Sequence, residues 1–348
     1  MSEPLTIGAI VAQYQRQVRL RESAAVERLT SAYGRMYGAF YDRATGLLEE
    51  ARARGLSRAA FRRLDRYQRL LTDVEAQMLR YGAIVEDEIA RAQLDALRAA
   101  ARDAPGYTRR AMLFAGVPEP AVASIMATFR VMPDEAIEAL AGALQERSPL
   151  QRLLAQRFGP DMAQEAGDIL LRGLAEGVGP RRVAAELRRA FGQPLSDALR
   201  IARTETNRAF RAGTMGSWRL NPHIVRGWVW HAALDTRTCM SCVAMHGTEH
   251  GMDEDLDDHP NGRCAAIPIT VSMAELGLDV PETQVEVEAG GAWFARQPEA
   301  VQRAMMGAAK YEAWRAGEIA LPDLTARSSD PEWGTMRYEP SLKQIRGE

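Results

Sequence analysis

I-A-R-T-E-T-N-R-A (201–209), D-T-R-T-C-M-S-C (235–242) and H-P-N-G-R-C (259–264) fall within Ile201–Pro268, the stretch around which this chain is organised. A helical run opens it, a short aromatic segment around Trp228 and Trp230 follows, and two loops close it with Cys239, Cys242, His259 and Cys264. All three cysteines of the chain lie here. Zinc takes four soft or borderline donors at tetrahedral corners, and C-x-x-C on a tight turn sets two thiolates on one side of the ion. Sixteen residues separate Cys242 from His259. A second loop can therefore close the other side, with Pro260 and Gly262 supplying its sharp bend. Three cysteines and one histidine would make a closed, structural site, because catalytic zinc keeps one position for water. H-x-x-x-x-C is looser than a zinc-finger signature, so reduced, unliganded thiols stand as the alternative. His246 and His250, followed by Asp253, Glu254, Asp255, Asp257 and Asp258, offer donors for a harder metal, although such an acidic loop is more often solvated.

Composition limits the rest. At 348 residues the chain exceeds one typical core, so two domains are expected. With 26% charged and 46% hydrophobic residues it has the make-up of a folded protein. Forty-four Lys plus Arg against 46 Asp plus Glu provide no global field toward nucleic acid or an anionic membrane, so any such contact must be local. The first residues, with Glu3 and no basic flank before a short apolar run, do not read as a secretory signal. No apolar stretch has the length of a membrane span. A C-x-x-C in such a chain points to metal or reduced thiols over disulfides.

The first third reads as long helices. From Ser23 to about Arg54 nearly every residue is a helix former, with Val26, Leu29, Tyr33, Met36, Phe40 and Leu47 at helical spacing. Gly55 stops this run. Ser57 is the expected N-cap of a second helix, in which Leu64, Tyr67, Leu71, Val74, Met78, Tyr81 and Val85 step by three and four and Pro105 with Gly106 ends the element. An element of about 45 residues would be near 70 Å long at roughly 1.5 Å per residue. It needs a partner along its side, and the preceding helix supplies one as an antiparallel hairpin.

Helices shorten between Gly106 and Leu195. Pro118 and Pro120 start one, Pro133 breaks it, Asp134 starts the next, and further breaks are expected at Gly159–Pro160 and at Gly177–Pro180. Arg181, Arg182, Arg188 and Arg189 share one short helix. They could meet DNA phosphates, but in a near-neutral chain a solvated face balanced in part by Glu186 is the better account of them. Ser196 is the expected cap of the helix carrying Ala202, Thr206, Ala209 and Phe210 inward. On that helix Arg203, Glu205 and Arg211 read as structural charges, and Ala212, Gly213 and Gly216 suggest close packing. Alternation over Ile224–His231 predicts a strand covered on both faces.

Taken together, A-R-T-E-T, W-x-W, D-T-R-T-C-x-x-C and H-P-N-x-R-C resemble the C-terminal domain of the tailed-phage minor head proteins, the Mu F-like head-morphogenesis family. Trp293–Leu324 is similar to the helical segment that follows that domain, so the resemblance spans about 170 to 325. One departure is Gly262, where many relatives have a cysteine in H-P-N-C-R-C. The resemblance implies a virion or procapsid component that associates with the portal and other head proteins, enters the head in few copies, and takes part in DNA packaging or delivery. It implies residence in the head interior or at the portal vertex, and in the host cytoplasm during assembly, without a membrane partner.

The expected fold is mainly α. A long helical hairpin (1–106) and a short-helix bundle (107–195) precede a small α+β domain (196–292) holding a candidate zinc loop at Cys239, Cys242, His259 and Cys264. A helical segment (293–325) and an extended or mobile tail (326–348) follow. No complete catalytic constellation is present, so the chain is read as a non-enzyme. Two other classes compete with the head-protein reading: a metal-dependent nuclease or toxin-like domain, and a DNA-binding internal head protein using the four arginines.

Overall fold

The buried stripe of the first helix begins earlier than its helix-forming composition suggests. Ile10, Val11, Tyr14 and Val18 are all buried, so α1 runs over Ile7–Ala53 in this computed structural model, which describes residues 7–147, 161–272, 274, 275, 277, 287–330 and 334–348. Gly55, at φ +60°, ends α1, with Leu56 N donating to Ala51 O across the turn. Ser57 does cap a helix, accepting from Ala60 N, but that helix is only the five-residue α2 (Arg58–Arg62). The long α3 starts anew at Asp65 and continues to Phe114.

Pro105 does not end α3. A proline removes one helix hydrogen bond and costs about 3 kcal/mol, yet Ala101, Ala104, Tyr107, Ala111 and Met112 carry the buried stripe straight through it. Packing over several turns outweighs one broken bond. Helices α4 (Glu119–Met126), α5 (Asp134–Arg147) and α6 (Asp161–Ala175) follow. The expected break at Gly159–Pro160 lies outside the described residues. α7 covers Pro180–Arg219 as one 40-residue helix with Pro194 inside it, so Ser196 is an interior residue and not a cap. Its neighbours Ala198, Ile201 and Ala202 are buried, and the same argument from packing applies.

The chain divides into two units, each with its own interior. One comprises the described residues of Glu22–Ala92 and Ser148–Arg203. In it α1 and α3 pair antiparallel: Arg28 bonds Glu88, Tyr81 Oη donates to Leu29 O, and Arg43 bonds Asp73, so partners run in opposite directions. Phe40 stacks on Phe191 of α7 at 4.8 Å. The expected helical hairpin is present.

The other unit comprises the described residues of Met1–Arg21, Gln93–Arg147 and Thr204–Glu348. Its centre is β1 (Val225–His231), flanked antiparallel by β2 (Glu249–Gly251) and β3 (Ala265–Thr270). Trp228 and Trp230 face a core with Tyr14, Tyr107, Phe210 and Trp218, while Val229 packs with Ile267 and Val11 of α1 on the opposite face. The strand is thus covered on both sides, as its composition predicts. A Cβ at Gly213 would meet Ala100 Cβ at 2.9 Å and Leu97 O at 3.0 Å, which explains the small residue on α7.

Beyond the sheet, α8 (Met240–Met245) packs through Met240 and Val243 on α9 (Gly290–Ala295), α10 (Glu299–Met306), α11 (Ala308–Arg315) and the 3-10 turn Leu321–Leu324. The last segment is not an extended tail. β4 (Ala326–Asp330) and β5 (Gly334–Tyr338) form an antiparallel hairpin, and α12 (Leu342–Arg346) follows; Pro331 lies outside the described residues. Arg337 N donates to Asp257 O at 2.7 Å, and Glu339 accepts from Met240 N at 3.0 Å and from Lys310 at 2.6 Å. Backbone pairing and charge hold this segment, which its polar composition does not reveal. No helix among the described residues is long and apolar enough to cross a membrane.

If Glu339 secures the C-terminal segment, Glu339→Ala should expose it. Limited proteolysis is expected to cut the variant within 326–348 several times faster than wild type, with the remainder resistant; equal rates would show that the hairpin docks without this carboxylate.

Candidate metal centre

D-T-R-T builds the entry to the first cysteine. Asp235 N donates to Thr238 Oγ1, Thr238 Oγ1 donates back to Asp235 Oδ1 at 3.1 Å, and Arg237 N donates to Asp235 Oδ1 at 2.9 Å. The turn delivers Cys239 as the N-cap of α8, where its Sγ accepts from Cys242 N at 3.4 Å. The two sulfurs of C-x-x-C thereby share one side of a small space.

The second loop supplies His259. Its Nδ1 donates to Pro260 O at 2.9 Å, which leaves Nε2 facing Cys239 Sγ and Cys242 Sγ, each at 3.3 Å. A backbone partner on one ring nitrogen orients the other toward a metal. Cys264 closes the loop at the start of β3. The four residues singled out in the sequence lie close together, in two overlapping donor sets that can each hold a metal ion: Cys239, Cys242 and His259, and Cys242, Asp258 and Cys264. All three cysteines are free. Thiolate and imidazole donors suit zinc and similar borderline ions and disfavour magnesium or calcium, so the residues fit a soft-ligand centre.

Asp258 is the member that the sequence missed. Grouped there with a solvated acidic run, it is instead buried, at 7% exposure. Its Oδ2 accepts from Arg211 Nη2 at 2.7 Å and Cys264 N at 3.1 Å; its Oδ1 accepts from His259 N at 2.9 Å and lies 3.5 Å from Cys242 Sγ. Arg211, read from the sequence as a structural charge, is also buried and donates further to Gly262 O at 2.9 Å and Cys264 O at 3.1 Å. Arg211 is reached from α7, and no local pattern announces the contact. A bidentate pair, Arg263 with Asp235 at 2.7 Å on both arms, ties the second loop to the first. Asn261 N donates to Thr204 Oγ1 at 3.1 Å and adds a further tether to α7.

The electrostatics follow the geometry. Hydrogen bonds from Cys242 and His259, working against burial, draw the Cys239 thiol down to about 5. Burial pushes His259 down, but Cys239 and Asp258 more than offset it and hold the imidazole up, at about 9. The hydrogen bond with Cys239, then that with Cys264 and burial, push Cys242 well up. For Asp258 burial opposes ionisation, and Arg211 with His259 overcomes it, so the carboxyl lies below its usual range. A cation entering here competes with protons for sulfur and nitrogen.

The harder-metal alternative does not assemble. His246 Nδ1 accepts from Ala232 N at 2.9 Å and its ring meets His231 edge-on at 4.6 Å; His250 stacks on Trp228 at 4.3 Å and bonds Thr248 and Glu254. Neither joins a donor set among the described residues. Arg203 pairs with Glu22 at 2.8 Å, and buried Glu205 accepts from Gln93 at 2.7 Å and Arg208 at 2.9 Å. Arg181, Arg182, Arg188 and Arg189 are all exposed.

Residues 164–267 match the family described as Phage Mu protein F like protein, which supports a tailed-phage head-morphogenesis family for this segment. The match covers α7, β1, β2, the first half of β3 and both metal-donor loops. Neither a curated protein nor a solved structure matches the chain.

The imidazole pair of half-buried His231 and buried His246 carries a pH signature. Burial and then His246 hold His231 down to about 4 from 6.5. As pH falls the unfolded chain binds this proton before the folded one, so the stability is complete above 6.5 and is lost between 6.5 and about 4. The urea midpoint should drop over that window, and drop measurably less in His231→Gln. Parallel curves would assign the acid loss to other groups.

Proposed function

We propose that this chain, whose residues 164–267 match the Phage Mu protein F like family, is a minor head protein of a tailed phage or prophage that contacts the portal and acts in head morphogenesis and DNA packaging or delivery. The observation that carries the reading is the coincidence of that family match with the donor loops of the centre. The role is structural and not enzymatic. Cys239, Cys242 and His259, with a fourth donor from Cys264 or Asp258, hold zinc as a clamp between the 235–242 turn and the 258–264 loop. Cys242, Asp258 and Cys264 are buried and Cys239 and His259 half-buried, and donors so placed and tethered by Arg211 and Arg263 suit a closed centre; a water-activating one keeps an open position and a placed base. The protein's place is the head interior or portal vertex, reached from the host cytoplasm during assembly.

A second reading has its own support in the exposure of Arg181, Arg182, Arg188 and Arg189. A DNA-contacting role for this helix would add a local basic patch to a chain of net charge −2.

The test is composition and contact. Purified particles of the source phage should contain the chain at few copies, and cross-linking should join it to the portal; absence from particles with no portal contact would end the reading. DNA binding that weakens steeply with salt and is lost when the four arginines are neutralised would establish the second role, and salt-insensitive or absent binding would remove it.

A further inference from the structure

We propose that Asp258 is the fourth ligand of the metal centre, binding through Oδ1 beside Cys239, Cys242 and His259, while Cys264 stands behind the carboxylate as a buried thiol. The inference rests on the metal reading above and settles its fourth donor.

Spacing is the first support. Metal–ligand bonds of roughly 2.0–2.3 Å place tetrahedral donors about 3.3–3.8 Å apart. His259 Nε2 lies 3.3 Å from each of Cys239 Sγ and Cys242 Sγ, and Asp258 Oδ1 lies 3.5 Å from Cys242 Sγ and 3.6 Å from His259 Nε2. Asp258 and Cys264 share a donor set with Cys242, and of the two it is Asp258 whose oxygen has measured approaches to both Cys242 and His259.

Orientation is the second. Arg211 Nη2 and Cys264 N both bond Oδ2, at 2.7 and 3.1 Å, which leaves Oδ1, accepting from His259 N at 2.9 Å, on the side of Cys242 Sγ. Ligating carboxylates are characteristically held by such outer hydrogen bonds. Space is the third. A Cβ at position 262 would sit 2.0 Å from Asp258 Oδ2, so the carboxylate occupies room that exists only because residue 262 is glycine.

Charge agrees. Two thiolates and one carboxylate around a divalent ion leave a single negative charge, which the Arg211 guanidinium offsets. A third thiolate would bury one charge without a partner, an expensive arrangement. Assembly breaks the S–H bonds of Cys239 and Cys242 and frees Nε2 of His259 of any proton, releasing those protons to solvent; no oxidation is involved.

X-ray absorption at the zinc edge of the zinc-loaded full chain reads the donor count directly. Two sulfur and two nitrogen or oxygen neighbours are expected in wild type and unchanged in Cys264→Ala. Competition with a chromophoric chelator should show zinc affinity little altered in Cys264→Ala and weakened on the order of tenfold or more in Asp258→Asn. Three sulfurs in wild type, falling to two in Cys264→Ala, would overturn the proposal while leaving the metal reading standing. If Asp258→Asn fails to fold, the two sulfur counts still decide. Wild-type protein that takes up no zinc would overturn the metal reading, and this inference with it.

Discussion

The buried pair of Arg211 and Asp258 is the constraint on which the second donor loop depends. Removing two charges from water costs several kcal/mol per ion, and only good geometry with full hydrogen bonding offsets it. Here the conditions are met. Arg211 donates to Asp258, to Gly262 O and to Cys264 O, and Asp258 also accepts from the backbone of His259 and Cys264. Burial disfavours both ions, but each more than compensates for the other, so both remain charged. The loop from Asp258 to Cys264 is thereby fastened to α7 through its main chain as well as its side chains, and His259 and Cys264 inherit their positions from that fastening.

Phe210, next to Arg211 in the chain, shows how far the constraint reaches. Its ring meets Tyr14 edge-on at 4.7 Å, and Tyr14 meets Tyr107 at 5.9 Å. The opening turns of α1 and the second half of α3 thus form the wall against which this part of α7 is set. That wall accounts for two departures from local expectation: α1 starts well before its most helix-favouring stretch, and α3 ignores Pro105. Both segments carry buried side chains in this unit's core, and many packed side chains outweigh one lost hydrogen bond.

What could be read in the sequence was what local chemistry decides. Cys239 and Cys242 are placed by a turn that Asp235, Arg237 and Thr238 close through bonds to one another, and β1 announces itself by apolar residues on both of its faces. The helical hairpin follows from the spacing of residues such as Tyr81. Asp258 was illegible because its meaning comes from Arg211, 47 residues away; within its own run it is one acid among five. Ser196 looked like a cap for the converse reason: a good capping side chain cannot start a helix where buried residues on both sides keep the helix going. The C-terminal hairpin was hidden because its bonds are made by backbone, to which polar side chains give no clue.

Between the two donor loops run the Arg263–Asp235 pair and the contacts of His259 Nε2 with Cys239 and Cys242 and of Asp258 Oδ1 with Cys242. Asp235 and Arg263 are about a third exposed, with side-chain values of 36% and 39%, so solvent screens part of their attraction, although bidentate geometry makes the pair stronger than an ordinary surface ion pair. Structural zinc in small domains contributes about 10–16 kcal/mol, most of it spent on folding the chain around the ion. Here the 258–264 loop is already held by α7 and the 235–242 turn by its own hydrogen bonds, so little folding remains to be driven. Metal binding at this centre would go chiefly into locking one preformed loop to the other, and through α8 to the helices that follow. The orientation of Asp258 by Arg211 is then as consequential as the thiols themselves.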